Sequence, residues 1–573
     1  MYADVSVKIP VEKGRITRKT IRGTTYIYYQ IDRVYDPKKK YSVPKSTPIG
    51  KCCDNDTSMM FPNEKYVLYF PTEAADMPDE KSNAVRSGCL KVGTYLVLRR
   101  IIAEYHLDEM LSGIIGKDSG LFLDLAAYTI IEENNAGQYY PDYAYSHPLF
   151  TEGMKVYSDS KVSRFINGIT RDQSADFLNR WNEHRDHREK IYISYDSTSK
   201  DCQAGDIDFV EYGHSKSGSG KPMVNYSIAY DRNNREPLFY EMYPGSIVDV
   251  SQLQFMLEKA DGYGYRRIGF ILDRGYFSRE NIKYMDKCGY DFVIMMRGMK
   301  SFARDIISGL KGTFEESRKF SIRDYKVNGT TIKRRLFPAD EKDRYFHIYF
   351  NERKRTSERE RFEEKIDRMA EALKNREGKK DYECPPEFCK YFEPIYYTDG
   401  KKKTFEYARE REEVIDEEIK YCGYFIIITS EKMTAEEALD LYKSRDGSEK
   451  LFRGDKSYLG NRSFRVYSSE SVNNKIFIEF VALILRNRFY ACIKEQRRKS
   501  EKKENFMTVP AAVRELEKIE LIRQADGTYR LDHAVTAAQK EILKAFDMTA
   551  KNIKEQALGL NQDLIMNQKQ EEK

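Results

Sequence analysis

Over residues 1–70 the side chains alternate with a period of two. Thr24 to Ile31 reads Thr-Thr-Tyr-Ile-Tyr-Tyr-Gln-Ile, and after a turn signal at Asp36-Pro37 the pattern resumes at Tyr41-Ser42-Val43. Runs of β-branched and aromatic residues bounded by turn formers predict a small twisted sheet. From about residue 80 the pattern becomes helical. Leu96 to Ile102 and Leu121 to Ile131 have the composition of buried helices, and Ser163 to Ile169 and Ser174 to Trp181 follow a Ser-rich link. Trp181, the one tryptophan, is expected in the core.

From residue 190 strands and helices alternate. Ile191 to Asp196 is a strand ending in an acid; Val224 to Tyr230 and Pro237 to Tyr243 form a hairpin through Asp231–Asn234. A helix over Ser251 to Ala260, a second acid-ended strand over Arg267 to Asp273, a helix over Ser278 to Cys288 and a strand from Phe292 complete the series. Three strands with antiparallel links followed by β-α-β units is the order of a ribonuclease-H-like core. The alternation breaks between about 300 and 420, where Phe362, Ile366, Met369 and Leu373 mark a thin amphipathic stripe in a highly charged segment. Tyr424 to Thr429 then restores a core strand, so 301–420 is an insertion inside the fold. Val472 to Arg498 is a long helix, apolar and then basic. Residues 505–548 are expected as helix, turn at Asp526-Gly527 and helix, with a frayed Gln/Asn/Lys-rich tail from about 555.

The expected fold is α/β: a ribonuclease-H-like core over 189–300 and 421–498, interrupted by an α+β insertion over 301–420. A small β domain over 1–75 and a helical region over 80–188 precede it, and a helical region over 499–573 follows. A chain of 573 residues is too long for one core, which agrees with several domains.

Composition narrows the class. With 33% charged residues, 43 Tyr and 30 Phe, the chain is neither disordered nor membrane-spanning, since no apolar run approaches the roughly 20 residues a span needs. With no secretory signal pattern either, a cytoplasmic protein is expected. The nine cysteines lack zinc-site spacing and read as reduced structural thiols. The net charge is +6, yet residues 1–50 carry eleven Lys or Arg against four acids, a net +7 in that segment alone. A localised basic region points to nucleic acid, so 1–75 is read as a DNA-binding domain, with a solvated basic meander as the rival reading, and 80–188, helices ahead of the α/β core, as a helical DNA-binding region.

The chemistry concentrates at Tyr442, Arg445, Glu449 and Lys456. On one continuous helix these would fall at roughly 0°, 300°, 340° and 320°, placing an aromatic, a guanidinium, a carboxylate and an ammonium on one narrow face. A metal-binding carboxylate among phosphate-binding groups suits phosphoryl transfer. Asp196 and Asp273, each ending an apolar strand, are the matching carboxylates upstream, because ligands of α/β sheets bind at that end. Taken singly, each acid is as readily a turn former or helix cap. Three carboxylates in one cleft repel unless cations neutralise them, and oxygen-only ligands suit Mg²⁺ or Mn²⁺. His214 lies in a Gly/Ser/Lys loop whose Gly220-Lys221-Pro222 lacks P-loop spacing; a mobile basic loop that contacts DNA is the reading taken. His184 and His187, with no acids in ligand spacing, read as a solvated helix.

These motifs, Tyr195-Asp196-Ser197-Thr198-Ser199, Leu272-Asp273-Arg274-Gly275-Tyr276-Phe277 and Tyr442/Arg445/Glu449/Lys456, resemble those of the DDE transposases of bacterial insertion sequences, in the branch with the YREK signature. The resemblance covers roughly 190–490. It implies that Asp196, Asp273 and Glu449 are catalytic and bind two divalent ions, and that Tyr442, Arg445 and Lys456 hold DNA. It also implies metal-dependent cleavage at transposon ends, with transfer of 3′-OH ends into target DNA by a cut-and-paste route. The partners would be double-stranded DNA, as terminal inverted repeats and target, and a second copy of the chain on that DNA. The rival readings are a domesticated, catalytically silent DNA-binding protein and a standalone ribonuclease-H-like nuclease.

Overall fold

The computed structural model describes residues 6–21, 23–37, 39–53, 56–70, 86–185, 190–202, 207, 209–213, 220–247, 249–399, 402–447, 451, 459, 463–464, 469–500, 505–524 and 527–571. The chain divides into two compact units, Met1–Ser87 and Gly88–Lys573.

The first unit is a five-stranded antiparallel sheet in the order Val7–Lys8, Met59–Pro62, Tyr41–Cys52, Thr24–Asp36, Ile16–Ile21. Alternation sends Ile27 and Tyr29 inward to Ile49, Met60, Tyr66 and Phe70. Gly50 is required where the strands meet that core, because a Cβ there would lie 2.5 Å from the Met60 sulfur. The two longest strands continue past the core as a solvated hairpin, exposing Val34, Tyr35 and Tyr41.

In the second unit one sheet dominates. Its path runs Ser321–Ile322, Val327–Arg335, Asp343–Phe350, Tyr424–Thr429, Asp291–Met295, Ile268–Leu272, Ile191–Cys202, Met223–Asp231, Glu236–Pro244. The three strands between Ile191 and Pro244 are antiparallel neighbours; Ile268–Leu272 and Asp291–Met295 run parallel to the first of them. All five residues of Ile268–Leu272 are buried, as a parallel strand covered on both faces requires. The arrangement is a mixed α/β fold built on a large mixed sheet.

Helices Gly93–Glu104, Leu107–Ile115, Ser119–Ile131, Asp159–Gly168 and Arg171–Glu183 share one apolar core with this sheet. Trp181 is fully buried; its indole N–H donates to the Pro237 carbonyl at 2.9 Å, and Asn182 Nδ2 donates to that of Leu238 at 3.0 Å. These bonds cover the edge strand Glu236–Pro244. The 31-residue helix Ser469–Lys499 lies against Ser119–Ile131 and the same edge strand, and is buried almost all round over its first half.

Four elements differ from the sequence reading. The strand beginning at Ile191 continues to Cys202 and does not end at Asp196. Its second half, Ser197 to Asp201, looks like a loop because it is polar, but distant partners satisfy it. Lys200, fully buried, donates to Glu479 Oε2 of the long helix at 2.7 Å. Residues 300–350 extend the large sheet, and a separate small core begins only with helix Glu352–Lys374, whose Ile366, Met369 and Leu373 pack on Tyr391, Phe392 and Phe405. Between 505 and 548 a hairpin, Glu520–Arg523 with Tyr529–Leu531, separates the helices and pairs with Cys89–Lys91. Asp526 lies outside the described residues. The tail is the helix Ala550–Glu571, because Ile553, Ala557, Leu560 and Leu564 form a buried stripe. Among the described residues no helix is long and apolar enough to cross a membrane.

Two predictions follow from buried polar groups. Lys200→Met removes the buried ammonium that donates to Glu479 Oε2 and is expected to cost about 3–5 kcal/mol. Lys200→Met with Glu479→Leu should cost less than either single change, because both members of the buried ion pair are then replaced by apolar side chains; urea denaturation of the four proteins checks this. His347, between Thr331 and Thr429 in the sheet, is held to a pKa of about 4 against an ordinary 6.5 by burial, so it folds neutral. The unfolded chain takes up the proton first. Stability present above pH 6.5 is therefore lost as pH falls towards 4, by roughly 3 kcal/mol in all. His347→Gln should flatten that part of a stability-against-pH curve.

Candidate active site

The parallel register between two strands sets the site. Ile268 lies opposite Ile191, and the pairing runs on to Leu272 opposite Tyr195. The next residue on one strand is Asp196, and the next on the other is Asp273. Backbone pairing thus sets the two acids side by side where the strands diverge. Asp196 continues in the ladder, opposite Ile228 of the antiparallel neighbour, and its Oδ1 accepts from the Ser197 N–H at 2.8 Å. Asp273 caps the short helical turn Arg274–Tyr276, its Oδ1 accepting from the Arg274 N–H at 2.7 Å. The cap role expected of a lone acid is therefore present at Asp273, together with a second role described next.

Tyr276, which the sequence reading passed over, braces the pair from below. Its hydroxyl donates to Ser197 Oγ at 3.0 Å, and its ring lies 5.4 Å from that of Tyr195. An aromatic three residues after Asp273 was the only local signal.

Helix Ala435–Lys443 brings in the basic side. A capping box between Thr434 and Glu437 starts it, and Leu439, Leu441 and Tyr442 bury its inner face against Ile271, Val293 and Ile427. Tyr442 Oη donates to Asp273 Oδ1 at 3.4 Å, and Arg445 Nη1 forms an ion pair with the same oxygen at 2.6 Å. The guanidinium sits 5.4 Å from the centroid of the Tyr442 ring. In this structure, then, Arg445 and Tyr442 face a carboxylate.

The single-helix stripe is corrected here. The helix stops at Lys443, and Ser444 and Arg445 form a turn before helical backbone returns at 446–447. Ser444 Oγ donates to the Leu441 carbonyl at 2.5 Å, and the Gly447 N–H donates to that of Ser444 at 3.0 Å. Gly447 lies so close to Tyr230 that a Cβ would come within 2.8 Å of the ring. The turn aims Arg445 at Asp273. Glu449, Lys456 and His214 lie outside the described residues, as does His187. His184 caps the end of helix Arg171–Glu183, its ring nitrogen 2.7 Å from the Arg180 carbonyl.

Among the described residues no group of three or more His, Cys, Asp or Glu is placed to hold a metal ion. Asp196 and Asp273 supply two hard carboxylates with backbone-fixed positions, a donor set that suits a divalent oxygen-seeking cation. Such a cation would have to replace the positive charge that Arg445 now presents to Asp273.

A family model described as "Transposase DDE domain" matches residues 189–485, slightly more than half of the chain. The chain belongs to this family of DNA transposases, whose members generally use divalent metal ions. The match takes in the acid pair, helix Ala435–Lys443 and the buried half of the long helix. Among curated proteins none matches the chain. Among solved structures, the chain is similar to the piggyBac transposase in a synaptic complex with hairpin DNA, at 9% identity over 74% of this chain and 77% of that one, TM-score 0.38. It is also similar to the Mos1 transposase in a paired-end complex with the left transposon end, at 13% identity over 30% and 57% of the two chains, TM-score 0.13.

Gly447→Ala is expected to destabilise the protein by about 1–3 kcal/mol, because a Cβ there would come within 2.8 Å of the buried Tyr230 ring, which would have to shift. Gly447→Ala combined with Tyr230→Leu should recover part of the loss in a thermal melt.

Proposed function

We propose that this protein is a cut-and-paste transposase of the YREK branch of bacterial insertion-sequence enzymes, cleaving DNA at its element's ends and joining the 3′-OH ends to target DNA. The observation that carries the reading is the placement of Asp196 and Asp273 on adjacent parallel strands inside the family match. The strand order Glu236–Pro244, Met223–Asp231, Ile191–Cys202, Ile268–Leu272, Asp291–Met295 supports a ribonuclease-H-like core.

Asp196, Asp273 and Glu449 would hold two Mg²⁺ or Mn²⁺ ions. Such ions make a bound water or 3′-hydroxyl nucleophilic near neutral pH and stabilise the leaving oxygen of an in-line displacement. The protein's own groups bind and orient the DNA. Arg445 is planar and always charged, so on leaving Asp273 it can grip a phosphate bidentately. Tyr442, stacked beneath it, fixes its approach, while Lys456 offers a point charge and His214 a further DNA contact. The basic sheet of residues 1–75 and the helices of 80–188 bind the DNA ends outside the core, and 301–420 serves as the insertion between the second Asp and the Glu. Two copies assemble on paired ends.

Asp196→Ala, Asp273→Ala and Glu449→Ala should each abolish Mg²⁺-dependent cleavage of a terminal inverted repeat. The loss should exceed the 10²–10³-fold that removing one transition-state donor typically costs, with end binding retained in a gel-shift assay. Unimpaired cleavage by any of the three variants would overturn the assignment, and hydrolysis without strand-transfer products would favour a nuclease.

A further inference from the structure

Next to the Arg445 turn the second unit opens a cavity of about 1130 Å³ that the acid pair does not account for. Three elements wall it: the hairpin turn after Asp231, the outer half of helix Ser469–Lys499, and the segment Lys443–Gly447 that carries Arg445. Seven of its lining side chains are Arg or Lys and two are Asp. One of those acids, Asp440, is already engaged by Arg232 at 3.0 Å and by the Tyr325 hydroxyl at 2.8 Å.

The long helix contributes one continuous stripe. Arg486, Tyr490, Lys494, Arg497 and Arg498 all line the cavity at three-to-four-residue spacing, so they share a face. From Arg486 to Arg498 the stripe rises about 18 Å. Bases in a last helical turn commonly offset the helix dipole, and that suffices for Arg497 and Arg498 taken alone. It does not explain Arg235, which arrives from a different element. Arg235 sits in the left-handed region at φ 61°, an uncommon conformation for a residue with a side chain. The turn is pinned there by Asp231 Oδ1, which accepts from the Asn233 N–H at 2.7 Å, and by Asn487, whose side-chain amide donates to the Arg235 carbonyl. Among the described residues, Arg235, Lys443, Arg497 and Arg498 form no ion pair. Four of the cleft's cations thus lack a salt bridge among the described residues, and one of them is held on a left-handed backbone.

We propose that this cleft binds a single DNA strand by its phosphates, with Tyr490 against a base or sugar, leading the strand to the Asp196–Asp273 pair. A basic groove with an aromatic in its middle is the chemistry by which unpaired strands are held without sequence preference. At about 3.4 Å of axial rise per nucleotide, the stripe matches roughly five nucleotides. The choice of DNA as the polyanion rests on the transposase reading; the presence of a polyanion site rests on the charges alone.

The test is fluorescence-anisotropy binding of an unpaired 20-nucleotide DNA and of the same sequence as a blunt duplex, over a salt series, without divalent metal. The proteins are the full chain and its Arg235→Gln/Arg497→Gln/Arg498→Gln variant. On the unpaired strand the slope of log K against log salt should fall by about 0.7 per lost phosphate contact, about 2 in total. Tyr490→Ala should weaken binding about 5- to 100-fold. Circular dichroism of the variants checks that they fold. An unchanged slope and affinity on the unpaired strand overturns the proposal, and a loss confined to the duplex overturns the single-strand assignment. Repeating the series in an Asp273→Ala background separates the two readings. An unchanged slope with cleavage abolished removes the cleft and leaves the transposase reading standing. A lost slope with cleavage intact does the reverse.

Discussion

The pairing of Ile268–Leu272 alongside Ile191–Tyr195 is the constraint on which the rest depends. In a parallel ladder the register is held by evenly spaced hydrogen bonds, and slipping it by one residue would turn every side chain to the other face. Here both faces are buried, so a slip would turn each side chain into the wrong half of the core and would move Gly269 from the one place where a Cβ would lie 2.3 Å from the Tyr192 ring. A hydrophobic requirement thus locks the relative position of two acids that are themselves hydrophilic. Asp196 and Asp273 are adjacent because Tyr195 and Leu272 are.

A second constraint ties this register to the rest of the large unit. The strand that carries Asp196 runs on to Lys200, whose ammonium is buried against Glu479 of the long helix and lies 4.6 Å from the centroid of the Tyr226 ring. An isolated buried charge would be prohibitive; a paired one, with Asn135 also donating to the carboxylate, is tolerated and specifies one docking position. The same helix then emerges from the core as the basic wall of the cleft. One element therefore serves as core, as counter-ion to the strand that carries Asp196, and as a wall of the basic cleft.

Charge complementarity also acts at the acid pair itself. Arg445 and Tyr442 place a guanidinium and a hydroxyl on Asp273 Oδ1, which relieves the repulsion from Asp196. The turn after Lys443, held by the Ser444 hydroxyl on the Leu441 carbonyl and by the Gly447 N–H on the Ser444 carbonyl, presents the guanidinium to Asp273.

By itself the sequence determined the local patterns. The apolar runs before Asp196 and Asp273, the hairpin over 224–243, the amphipathic stripe from Phe362 to Leu373 and the Tyr442/Arg445 motif are all periodic or contiguous signals, and the resemblance they carry led to the family. Only the tertiary structure decided where periodicity fails. The strand passes beyond Asp196 because Lys200 finds a partner 279 residues away, and the hairpin Glu520–Arg523 with Tyr529–Leu531 forms because Leu90 is waiting opposite Leu521. The helix ends at Lys443 in a turn held by the Ser444 hydroxyl on the Leu441 carbonyl, and within that turn Arg445 faces Asp273. The basic cleft is assembled from residues 230–235, 443–447 and 483–510, whose charges look like ordinary solvated faces when read along the chain. Periodicity reports what a segment buries; it carries no information about which distant segment satisfies its polar groups, and in this protein those long-range partners build the site.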